Sequence, residues 1–242
     1  MAGGAYVALS GLRARAEHLD HLAADIANAG TSGYKSERST TSAAERQAFD
    51  LALQSAVDVA PGPGRYDFSN GSIAATGRDL DFALEGPGFF VVQTPAGPRY
   101  TRNGHFERSA DGTLTTEDGQ AVLGEGGSPV TLAATGSIEV EKDGTIRAGA
   151  KVAGKLQIVN FADASTLVRE GNSRFRASDP TQAVAAKDTM LRSGSLEKSN
   201  VSMVERIAEL TEVTRTFEAL QKGVSVLMND VDGRAIQELG RR

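Results

Sequence analysis

Apolar residues recur at spacings of three and four over residues 5–29: Leu9, Leu12, Ala16, Leu19, Ala23 and Ile26. That rhythm puts them on one stripe of a helix, at the a and d positions of a coiled-coil seam. Arg13, Arg15, Glu17, Asp20 and Asp25 fall between them, and no breaker intervenes before Gly30. Thr31-Ser32-Gly33 then stops the helix, with glycine free to take the left-handed conformation. Residues 202–239 repeat the grammar at the other end. Ser202 and Glu205 fit a capping box. The seam follows as Leu210, Val213, Phe217, Leu220, Val224, Leu227 and Val231, with Glu209, Glu212, Arg215, Glu218 and Lys222 facing away. Gly223 weakens this helix a little, and Gly233 ends or frays it. A strict a/d stripe is narrower than the face of a helix that only covers a domain. The two seams are therefore expected to pair with each other and with copies on neighbouring chains.

Between the ends the period changes. Leu80, Phe82 and Leu84 alternate with Asp81, Ala83 and Glu85, the pattern of a half-buried strand. Gly86-Pro87-Gly88 leads into Phe89-Phe90-Val91-Val92, and Leu156–Phe161 is the last clear strand. Asn103-Gly104, Asp111-Gly112, Asp118-Gly119 and Asp143-Gly144 predict tight hairpin turns, whose central residues need positive φ. Residues 36–42 are polar, 43–57 carry a possible helical piece, and Ala60-Pro61-Gly62-Pro63-Gly64 breaks regular structure. The expected fold class is α+β. Residues 1–35 and 196–242 form a discontinuous coiled-coil domain, 36–71 a linker or arm, and 72–195 a central all-β, hairpin-rich domain.

Composition narrows the chemistry. The 242 residues carry a net charge of −5 with both signs scattered, so no basic face is offered to nucleic acid. There is no Cys, which excludes thiolate nucleophiles, Cys-ligated metal centres and disulfides. No apolar run is long enough to span a bilayer, so no membrane insertion is expected. The start, Met1 to Tyr6, lacks the basic and apolar segments of a secretory signal. His18 and His21 sit one turn apart, yet a metal site needs further positioned donors, and the two read as a solvated polar face. His105 is the remaining histidine, and no activated Ser context accompanies any of the three. Gly124-Glu125-Gly126-Gly127 lacks the setting of a phosphate loop. Asp111 and Asp118 lack the ligand spacing of a calcium loop. No catalytic residue, cofactor or metal site is assigned, and the chain is not expected to be an enzyme.

Three segments, in order, resemble the flagellar basal-body rod and hook family. Leu22–Lys35 is similar to its N-terminal signature, an Ala/Asn-rich helix ending in an Asn-x-x-Thr-x-Gly-aromatic-Lys turn, here Asn28, Thr31, Gly33, Tyr34 and Lys35. Thr76–Phe90 followed by Tyr100–Phe106 resembles the family's β-domain motif. Gly194–Val201 looks like the Leu-Glu-x-Ser-Asn-Val lead into the C-terminal helix, with Asn200 in the Asn position. Departures are Ala29-Gly30, where Val or Ala followed by Asn is common, and Thr216-Phe217, where Ala-Tyr is usual. The resemblance implies a structural rod subunit, exported by the flagellar type III apparatus without a cleaved signal. It would assemble in the periplasm with other rod subunits and copies of itself, and transmit torque from motor to hook. The length and short arm fit a proximal-rod member of the family better than a distal-rod or hook-type one. Outside the family, the alternative is a β-rich periplasmic enzyme with a helical oligomerisation handle.

Overall fold

The computed structural model describes residues 2–38, 65–132, 138–149, 151–171 and 173–239. The expected helical piece at 43–57 and the breaker at 60–64 lie outside them. The fold is α+β: one helix at each end of the chain and strands between. The chain divides into two compact units.

The first unit gathers residues 1–27, 37–66 and 202–242. Helix α1 spans Ala2–Ala27 and helix α2 spans Met203–Leu239. The carbonyl of Ser202 accepts the amide of Arg206, so α2 begins where the capping signal puts it. The two helices pack against each other. Among the described residues two polar contacts cross between them: His18 Nε2 lies 3.3 Å from Glu209, and Arg206 Nε lies 3.2 Å from Asp25. Among the residues whose side chains are described, Leu22 and Asp25 are buried on α1 and Val213 on α2. Asp25, one of the charges that fall between the seam positions, is thus buried. Its carboxylate keeps a counter-charge in Arg206, which is what allows a charge to leave water. A short ladder pairs Glu37–Arg38 with Arg65–Tyr66.

The second unit holds Asn28–Ser36 and Asp67–Val201. Its largest sheet has nine antiparallel strands, among them Phe89–Thr94, Gly97–Thr101, Phe106–Arg108 and Leu114–Thr116. Ile138–Val140, Thr145–Ala148 and Lys151–Lys155 form a three-stranded meander. Phe82–Glu85 pairs with Met190–Ser193, and Ile73–Ala75 with Ser195–Glu197. The core is mainly aliphatic with phenylalanines, centred on Phe82, Leu84, Phe90, Phe106, Leu114 and Ile146.

The Asp-Gly signals behave as expected. Gly112, Gly119 and Gly144 all have positive φ between antiparallel neighbours. Asn103-Gly104 does not make a hairpin. The strands on either side of it pair elsewhere, and Gly104 instead accepts the amide of Phe82. A Cβ on Gly104 would sit 1.8 Å from the Phe82 carbonyl oxygen, so the glycine serves a close backbone crossing, not a turn.

Candidate functional site: a buried charge cluster joining three motifs

The three motif segments meet inside the second unit. Strand Ser195–Glu197 is held by its partner Ile73–Ala75, which aims Glu197 inward; its side chain is 1% exposed. Lys35 Nζ donates to Glu197 Oε1 at 2.6 Å and to the Ser69 carbonyl at 2.7 Å. Arg102 Nη1 donates to Glu197 Oε2 at 3.2 Å, and its Nη2 to the Gly86 carbonyl at 2.8 Å. The Gly71 amide completes the carboxylate at 2.9 Å. All three side chains are essentially out of water.

Two cations therefore share one carboxylate. Burial pushes the Lys35 ammonium below the ordinary lysine value; Glu197 pulls it back up by charge and hydrogen bond, and Arg102 pushes it down again. Burial lowers Arg102 too, against the same opposing pull of Glu197. Peptide carbonyls and one Glu carry the balance. In such an arrangement the carboxylate is the member that cannot be spared, and breaking a buried ion pair costs about 3–5 kcal/mol.

The backbone around the cluster follows suit. The Gly33 amide donates to the Glu197 carbonyl at 2.8 Å, and the Asn200 amide to the Tyr34 carbonyl at 3.4 Å. The Asn200 side chain accepts the Ser36 amide at 2.8 Å and donates to the Asp67 carbonyl at 2.8 Å, while the Asp67 amide donates to the Ser36 carbonyl. Arg169 lies 4.3 Å from the centre of the Tyr34 ring and donates to both the Tyr34 hydroxyl and the Lys35 carbonyl. Phe68 is wedged edge-on against Phe89 and Phe175, which docks the segment that offers Ser69 and Gly71. Gly33 takes φ +66°, and a Cβ there would meet the backbone of Arg102 and Asn103 at 2.3 Å. The turn thus needs glycine both for its conformation and for its closeness to the β domain. Residues 28–35, expected with the first helix, belong to this unit for these reasons.

Of the motif residues, Gly33, Tyr34, Lys35 and Asn200 come together here. Asn28 ends α1 in a turn, its carbonyl taking the Thr31 amide and its side chain the Thr31 hydroxyl. The seam residues lie on the other unit. Leu12, Leu19 and Ile26 are half-buried and Leu9 is 56% exposed; Leu210, Phe217 and Val224 are half-buried, Val213 is buried and Leu220 is 40% exposed. Leu227 and Val231 are in α2, with side chains outside those described. His18 and His21 go to different partners, Glu209 and Glu37. Sequence reasoning missed Arg102 and Glu197 as a pair with Lys35. Each stood in one of the motifs, but no local spacing links residues 162 apart.

Comparison with known proteins completes the picture. A family model described as the flagellar hook protein FlgE/F/G D1 domain matches residues 83–148, and one described as the flagellar basal body rod FlgEFG protein C-terminal matches 192–237. The flagellar basal-body rod protein FlgF of Caulobacter vibrioides is 34% identical, covering 98% of this chain and 97% of that protein. The chain belongs to the flagellar basal-body rod protein family. FlgF of Rhizobium meliloti is likewise 34% identical over 99% of both chains, while the rod protein FlgG of Bacillus subtilis is 29% identical, covering 90% of this chain and 92% of that protein. This rod protein is accordingly most like FlgF, and it is a structural subunit of the basal-body rod.

Proposed function

We propose that this subunit polymerises through its terminal helices as a coiled-coil layer of the proximal rod, and that the rod so built passes torque from motor to hook. The observation that carries the reading is the placement of the α1 seam. His18 and Asp25 reach α2, and Leu22, on the same face of α1, is buried. At about 100° per residue, the stripe Leu9, Leu12, Ala16, Leu19, Ala23 and Ile26 lies roughly a third of a turn away from that line. Leu9 and Ala23 are exposed on it. On α2, Leu220 is left exposed as well. A seam that one chain leaves unfinished is completed by a neighbour, and a head-to-tail contact that does not close on itself grows into a helical polymer. Close-packed helices resist bending and twisting, so transmitting rotation requires no chemistry in the subunit.

Family membership supports neighbours of the same kind, other rod subunits and copies of this chain, and delivery by the flagellar export apparatus to the periplasmic part of the basal body. It supports a structural role without catalysis. The test is a basal-body preparation from cells carrying a labelled chain. Electron microscopy should find the label in the cell-proximal rod, and Leu9→Asp should abolish its incorporation. Label at the distal rod or hook, or normal incorporation of the variant, would refute the position or the seam respectively.

A further inference from the structure

We propose that the Lys35–Glu197–Arg102 cluster is a completion latch, which fixes the turn after α1 only once the far end of the β unit is in place. The Gly33 amide, the Tyr34 carbonyl and the Ser36 amide all find partners within residues 197–200. The carboxylate that holds Lys35 lies 162 residues further along the chain. Without Glu197 the site is not merely empty of attraction. Lys35 and Arg102 are then two desolvated cations facing each other, and Arg102 is fixed in the β domain through the carbonyls of Leu84 and Gly86. The half-built site repels the residue it is meant to receive. When Ser195–Glu197 pairs with Ile73–Ala75, the same site turns attractive. Segment 33–36 then docks, held by Glu197 and Asn200 on one side and Ser69 and Arg169 on the other.

The turn that follows α1 in the chain is therefore tied down by residues 197–200 of the same unit. A chain that lacks residues 195–242 has a β domain whose strap, segment 33–36, is left without these partners. This property belongs to the monomer and holds whether or not the helices polymerise.

Hydrogen–deuterium exchange of the purified full-length chain tests it, comparing a peptide over residues 33–36 with one over Phe89–Thr94. Glu197→Gln should raise exchange of the 33–36 amides about tenfold or more and leave the core strand protected. Lys35→Met keeps the neutral Arg102–Glu197 pair and should open the strap less. Adding Lys35→Met to Glu197→Gln should restore part of the lost protection, because one of the two facing cations is gone. Unchanged exchange at 33–36 in Glu197→Gln overturns the latch. So does simultaneous opening of both peptides in the single and double variants, which would make the cluster ordinary core. If Glu197→Gln alone does not fold, Asn200→Ala decides, since it removes only the side-chain bonds to the strap and the Asp67 segment. Selective opening of 33–36 in Asn200→Ala supports the latch, and an unchanged or uniformly opened protein overturns it.

Discussion

Replacing Gly33 by alanine should destabilise the β unit through two separable effects, and a second glycine allows them to be measured apart. Gly33 has φ +66° and Gly77 has φ +75°, so both occupy left-handed backbone. An L-residue there costs about 1–2 kcal/mol. Their surroundings differ. A Cβ on Gly77 meets nothing within 4 Å, whereas one on Gly33 meets the carbonyl carbon of Arg102 and the amide of Asn103 at 2.3 Å, and the Arg102 oxygen at 2.6 Å. These are backbone atoms beside a buried guanidinium, so they cannot swing aside. Overpacking of this kind adds about 1–3 kcal/mol. Gly77→Ala should therefore lose about 1–2 kcal/mol and Gly33→Ala about 2–5 kcal/mol, a large share of the roughly 5–15 kcal/mol that holds a domain together. Urea unfolding suits the measurement. The chain has no Trp, so intrinsic fluorescence reports on tyrosines, of which Tyr34 and Tyr100 are buried in this unit. With a urea slope of about 1–3 kcal/mol/M, the two midpoints should separate by about half a molar or more. Ser32→Ala, beside the constrained position, should stay within about 0.5 kcal/mol of wild type. Equal losses at Gly33 and Gly77 would show that the close approach to Arg102 has no energetic weight.

Other expectations follow from the same structure. Phe217→Asp puts a charge in the middle of the α2 seam and should abolish rod assembly and motility while the exchange-protected β strands stay intact; a motile strain would refute the seam. Asp25→Asn weakens the charge-assisted contact with Arg206 and should lower stability by about 1–3 kcal/mol, seen as a lower melting temperature that Arg206→Gln does not lower further. Lys35 is held below its ordinary value, so between that lowered value and about 10.4 the unfolded chain binds more protons than the folded one, and stability rises with pH across that window. Lys35→Met should remove this slope; an identical slope in both proteins would mean that Lys35 does not contribute it. Limited proteolysis of the monomer should yield a stable core that retains residues 28–36, and a core beginning near residue 70 would contradict their place in the β unit.

The parts of the fold that local chemistry dictates could be read from the chain. The two helices stood out because their period holds over six and seven positions. The three Asp-Gly hairpins stood out because that dipeptide takes the positive φ of a tight turn with little strain. Asn103-Gly104 shows the limit of that rule. A similar dipeptide serves a backbone crossing there, and only the position of Phe82 distinguishes the two. Asp25 and Leu22 show another limit. Periodicity finds an apolar stripe, but it does not say which side of the helix meets its partner first, and here a charged pair claimed that side. The buried cluster was present in the sequence as three separate motif fragments. Their convergence depends on strand register across the whole β unit, which carries no local trace.

Asn200 has a consequence beyond its hydrogen bonds. The chain passes between the two units four times, after Ala27, Ser36, Tyr66 and Val201. Of the β unit's own chain ends, Ser36 and Asp67 bond to the Asn200 carboxamide and Val201 follows it directly. One side chain therefore sets the spacing of three chain ends within this unit. Residues could be added to its hairpins around Gly112, Gly119 or Gly144, or whole strands exchanged there, without altering the spacing of those ends.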